Sequence, residues 1–217
     1  MSDSVVTRHG RLILVPAVIT LAVTLLRLIG ELQQWSPALF NREAGGGGAL
    51  IGIVWLVPIF GAWFDYKLAS AGETPVKVLR GVVLCVAAFA VMVLAGVAAS
   101  AAGMDPNSRT MLVAFVVAAA VAGLIAFKAW PELGRVLVAY GLAARIPVAL
   151  VMLLAILGQW GTHYDVPPSP EFPQMAPLEL WFWIGLVPQL TIWIVFTLVV
   201  GMLFGLGAAA IARRGRR

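Results

Sequence analysis

Charge is what this sequence has least of. Only 12% of its 217 residues are Asp, Glu, Lys or Arg, while 61% are hydrophobic; soluble domains run near one quarter charged and half apolar. A surface of that composition would not stay in water, and the mean hydropathy of +0.97 agrees. Cysteine occurs once, as Cys85 inside an apolar run, which excludes an intrachain disulfide and any CxxC redox or zinc motif. No histidine falls within an apolar run of spanning length, so a haem ligated inside the bundle in the manner of a cytochrome b is excluded for the chain acting alone. The glycines at 45–48 lack a following GK[ST] and a preceding strand, so they read as a flexible linker and not as a phosphate loop. A net charge of +5 could suggest nucleic acid, but the basic residues are scattered through short connections instead of forming one patch.

What the chain does have is apolar runs long enough to cross a hydrocarbon core of about 30 Å. They lie near 12–29, 50–68, 78–99, 111–127, 136–157 and 180–206. The expected fold is all-α: a single polytopic transmembrane bundle of about six helices with both termini cytoplasmic. Arg8 and Arg11 before the first run resemble the start of a signal peptide, but Leu12 to Ile29 is too long for a typical apolar core of one and no small-x-small cleavage site follows. That run is expected to be a retained helix. Ala87, Ala88, Ala118, Ala119 and Ala120 predict close packing of the third and fourth helices.

Orientation follows from lysine and arginine, which concentrate in short cytoplasmic loops. With the N-terminus inside, eleven of the fifteen basic residues fall on the cytoplasmic side, from Arg8 to the arginines at the C-terminus. Two, Arg42 and Arg109, fall outside, and Arg27 and Arg145 lie within spans. The setting expected from this is a cytoplasmic membrane, that of a bacterium. Of the outer loops, the first carries Ser36-Pro37, a cap and first-turn pair that suggests a short interfacial helix. The Pro-rich segment 158–177 should be an extended, rigid cap. Three spans followed by three, with Pro58 and Pro147 in the second span of each half, also raise an inverted repeat with interrupted helices, although Pro188 breaks the correspondence.

Few polar residues could carry function. Arg145 lies about nine positions into its run, some 13 Å past the cytoplasmic boundary, where an unmet charge costs at least about 2.5 to 3.5 kcal/mol. Asp65, late in the second run, is its expected partner, forming either a clamp between helices or part of a solute site. Arg27 and Glu31, four apart on one helix face, can pair locally or present a cation to a cavity. Gln189 beside Pro188 is a polar group near mid-membrane. His163, Tyr164 and Asp165, with Glu171 nearby, are the one cluster with acid-base or ligand chemistry, short of what a metal site needs. No cofactor or metal is expected. Gly201-x-x-x-Gly205 permits close helix contact, within the chain or between copies in a homo-oligomer.

The function expected from these residues is passage of a small solute or ion, as a transporter or channel-like protein. A non-catalytic subunit or assembly factor contacting other membrane subunits, and a membrane enzyme with its site around His163, are the rivals. A transporter requires a cavity reaching Arg145, a structural subunit a dry bundle with charges paired as clamps, and an enzyme the convergence of His163, Asp165 and Glu171. Topology is directly testable: a reporter fused after Arg217 should be cytoplasmic and one inserted at Ser169 exported. Both on one side would refute six spans.

Overall fold

The computed structural model describes residues 3–44, 51–75, 77–170 and 172–214, and side chains within 10–211 of these. The glycines at 45–48, Glu171, and the side chains of Arg8 and the C-terminal arginines lie outside the described residues. Among the described residues every regular element is a helix: α1 (Asp3–Leu32), α2 (Leu56–Ser70), α3 (Val78–Ala101), α4 (Arg109–Phe127), α5 (Pro131–Gly158), α6 (Pro177–Leu180), a π-helical segment (Trp181–Leu186), α7 (Val187–Leu190) and α8 (Ile192–Arg214).

Five stretches are long and apolar enough to cross a membrane: Gly10–Leu32, α3, α4, α5 and the composite Pro177–Ile211. The sixth helix of the bundle, α2, has only 15 residues, about 22 Å at 1.5 Å per residue. It starts at Leu56 and not near 50, with Pro58 in its first turn, where a proline costs no backbone bond. Pro147, by contrast, sits inside an unbroken α5. The two prolines therefore do not occupy matching positions, which removes the ground for the inverted repeat. Ser36 starts a single turn, its carbonyl accepting from Leu39 and Phe40 at 3.0 and 2.9 Å, and no interfacial helix forms there among the described residues.

Burial separates the periphery from the centre. Only 22% of the apolar window of α1 and 17% of that of α3 are buried, against 44% for α5 and 50% for the composite span. Accordingly α3 presents Leu79, Val83, Val86, Phe89 and Val93 outward, the apolar face that hydrocarbon demands of a peripheral helix. Its packing on α4 uses Ala88, Ala118 and Ala119, all buried, while Ala87 and Ala120 are exposed. At the centre, Phe64, Leu133, Leu137, Tyr140, Met202 and Leu206 from α2, α5 and α8 form one apolar core.

The tightest approach is between α2 and α8. A Cβ on Gly61 would stand 2.3 Å from the carbonyl oxygen of Gly201, and one on Gly205 would stand 2.6 Å from Leu133 and 3.1 Å from the Gly61 oxygen. The Gly201/Gly205 face is thus filled by α2 and α5 of the same chain, the first of the two uses expected for it. Gly61→Ala forces backbone apart and should cost about 1 to 3 kcal/mol, read as a lower unfolding temperature in detergent. Gly207, on the same helix, has nothing within 4 Å of a Cβ. Gly207→Ala should be neutral or stabilising by up to about 1 kcal/mol; equal losses at both positions would contradict this packing.

Candidate functional site

Hydrocarbon offers no hydrogen bonds, so polar side chains in a span must meet one another. In α1 they line up on one face: Thr20, Thr24, Arg27 and Glu31 are all buried, at spacings of 4, 3 and 4 that keep them in register on a helix. Thr20 donates to the Pro16 carbonyl at 2.8 Å and shares a hydrogen bond of 2.8 Å with the Tyr140 hydroxyl of α5. Thr24 donates to the Thr20 carbonyl at 2.9 Å. Both threonines thereby present their methyl groups and little unmet polarity.

At the end of this stripe Glu31 gathers three donors. The Arg27 Nε approaches one carboxylate oxygen at 2.8 Å, the His163 imidazole Nδ1 meets the same oxygen at 2.5 Å, and the His163 backbone N–H donates to the other at 2.9 Å. The expected Arg27–Glu31 pair is present, and it also holds the connection between α5 and α6 onto the bundle. Tyr164 turns inward with His163, donating its hydroxyl to the Thr24 carbonyl at 3.3 Å. Asp165 points elsewhere: its carboxylate accepts from the Gly161 N–H, the Thr162 N–H and the Thr162 hydroxyl at 2.8, 2.7 and 2.7 Å. That spends Asp165 on the local turn and removes it from any catalytic grouping with His163. No three His, Cys, Asp or Glu residues converge among the described residues.

Arg145 stands at the middle of its helix. Because α5 begins at Pro131, five residues before the apolar run, Arg145 is fourteen residues from one end and thirteen from the other, about 20 Å from either. Asp65 is not its partner. A Cβ on Gly205 would touch both Leu133 and the Asp65 Cβ, the latter at 3.6 Å, so Asp65 stands level with Leu133, twelve residues or about 18 Å along α5 from Arg145.

The guanidinium of Arg145, only 3% exposed, instead meets the composite span. Its Nη1 donates to the Gln189 Oε1 at 3.4 Å, long for a hydrogen bond, and the Trp193 ring covers its Cζ at 4.5 Å. Among the described residues its Nε and Nη2 have no hydrogen-bond partner. The irregular backbone explains why the span can reach it. The π-helical turn at Trp181–Leu186 and the break at Thr191, with φ −123° and ψ −79°, rotate Gln189 and Trp193 toward α5. The Trp181 indole N–H fixes this bend by donating to the Ala149 carbonyl at 2.8 Å. Non-helical backbone at membrane depth is tolerated where it is buried in protein or lines a cavity, and a cavity is what lies here.

That cavity has a volume of about 220 Å³ and runs from His163 and Tyr164 to Arg145, Gln189 and Trp193, with Arg27 on its wall. Five expected polar residues therefore meet around one space, Glu31 holds two of them in place, and Asp65 and Asp165 stand apart. Thr24 and Trp193 also line it, and the Thr20–Tyr140 hydrogen bond continues the polar seam beside it. The α1 threonines had a legible signal in their helical spacing; Tyr140 and Trp193 had none, since only the tertiary packing turns them inward.

The fold and this site define the chain as a multi-pass helical membrane protein with a polar seam between α1, α5 and the composite span. Comparison with protein-family models, with curated proteins and with solved structures returns no match.

Burial pushes the His163 imidazole below its ordinary pKa of 6.5, and the Arg27 charge adds to this against the pull of Glu31 and Asp165. Burial likewise raises the Tyr164 phenol, which stays protonated. Below pH 6.5 the unfolded chain takes up a proton at His163 that the folded chain resists, so stability present at neutral pH is lost as pH falls. His163→Asn keeps a donor toward Glu31 without the titration. The unfolding temperature of the parent protein should drop more steeply than that of the variant from pH 7 toward pH 5; parallel curves would rule out a depressed His163.

Proposed function

We propose that the chain is a transporter or channel-like protein of a cytoplasmic membrane that admits a small anionic solute to the cavity at Arg145. One observation carries this reading: a buried guanidinium near the middle of a span lines a cavity, with two N–H groups that meet no acceptor. Leaving a buried donor unmet costs about 1 to 3 kcal/mol, and more when it is charged, so a purely structural arginine would be expected to have a carboxylate beside it. Ionisable groups within spans that face a cavity mark solute pathways.

The broken composite span supports the same reading, since discontinuous helices flank the central sites of many transporters. The eleven-to-two distribution of basic residues supports a cytoplasmic membrane with the 159–176 connection on its outer side. Among the described residues Arg145 has no carboxylate beside it and Asp165 is turned into its own turn, which favours this reading over a clamp or an enzyme around His163.

Purified protein in liposomes should let an anion gradient collapse faster than empty liposomes do. Arg145→Met, which fits the same space without charge, should bring that rate down to the empty-liposome level. Flux unchanged by Arg145→Met, with the variant folded, would defeat the proposal.

A further inference from the structure

The geometry points to the class of anion: we infer that the cavity receives a single carboxylate group borne by an apolar body, a deduction that rests on the anion reading above. The Arg145 guanidinium has two unlike edges. Nη1 is turned to Gln189, whereas Nε and Nη2 are unmet. Those two N–H bonds run side by side along one edge of the planar group, the fork that matches the two oxygens of a carboxylate. Trp193 covers one face and the residue is 3% exposed, so a carboxylate reaches the fork as the side chains around it give way, and it then meets no competing solvent.

Charge sets the valence. Around the cavity Arg27 is balanced by Glu31 at 2.8 Å and Tyr164 is uncharged, which leaves Arg145 as the one uncompensated cation among the described residues that line it. A monoanion balances it, whereas a dianion such as sulfate brings an unbalanced charge into a low-dielectric space. Size and polarity set the rest of the ligand. The lining also includes Val148, Met152, Ile184 and Ile53, which cluster with Tyr164 and reward an apolar group where an inorganic ion gains nothing. About 220 Å³ lies below the range of drug-sized sites and limits the ligand to a few heavy atoms. A free short-chain acid and the head of a fatty acid share this chemistry.

The test is thermal shift and calorimetry on the full chain in detergent, with sodium butyrate, benzoate, palmitate, chloride, phosphate and succinate as probes. Butyrate and benzoate should bind and stabilise at concentrations where chloride, phosphate and succinate do not. Arg145→Lys, which keeps the charge and loses the fork, should weaken carboxylate binding on the order of tenfold, the equivalent of one charge-assisted hydrogen bond. Binding of palmitate without butyrate or benzoate would uphold the carboxylate and place its source in the lipid. Chloride or phosphate binding as tightly as the carboxylates would overturn this inference and leave the anion reading intact. Silence from all six probes in folded protein would sink both. The selectivity order is read on the parent protein, so it decides even if Arg145→Lys fails to fold.

Discussion

A hydrocarbon surround supplies no hydrogen bonds, and that constraint organises this molecule more than any single contact. Each polar side chain in a span must find a partner in the protein, so the polar residues of α1 fall on one stripe, and the stripe turns toward α5. The consequence is a division of the bundle. On one side α2, α3 and α4 pack against α5 and the second half of α8 through apolar side chains and small residues, closely enough for the backbones of Gly61 and Gly201 to touch. On the other, α1, α5 and the composite span meet across hydroxyls, charges and an indole, and here the cavity opens. Apolar packing can close to backbone contact because nothing must be oriented, whereas a seam of hydrogen-bonding groups has fixed directions and leaves space between them.

Glu31 is the hinge of this second half. It neutralises Arg27 and also captures both the backbone and the ring of His163. A proline-rich connection has few backbone donors of its own, so it cannot anchor itself by secondary structure. A buried carboxylate at the end of α1 does that work instead, with the Asp165 turn pre-shaping the loop around it. The ion pair that looked like a local anchor thus also holds Arg27 and His163 where they line the cavity.

Length and hydropathy made the bundle legible in the sequence, because the thickness of a bilayer is a strict ruler. The partners of the charges were not legible, for a physical reason. An apolar run shows where a helix enters hydrocarbon but not which neighbour stands at each level, and the packing sets Asp65 beside Leu133, twelve residues along α5 from Arg145. Which face a glycine pair serves is equally hidden: Gly201 and Gly205 permit close approach, but only the placement of α2 shows what approaches. The polar stripe of α1 could have been read further, since Thr20 and Thr24 continue the period of Arg27 and Glu31, whereas Trp193 reaches Arg145 only because the chain leaves regular α-helix between Trp181 and Thr191.

The contrast between the two buried arginines bears most directly on function. Both lie within spans, both border the same cavity, and the protein treats them in opposite ways. Arg27 has a carboxylate one helical turn away, which fixes its position and cancels its charge. Arg145 has only the carbonyl of an amide at the limit of hydrogen bonding and the face of an indole, partners that orient a cation without neutralising it. A carboxylate supplied by the chain at that point would have stabilised the bundle and filled the fork. Its absence keeps the fork free for an oxyanion from elsewhere, while Gln189 and Trp193 hold the group in the pose to receive it. In an environment where an unbalanced charge is costly, the arrangement makes sense as a site whose second charge arrives with its ligand.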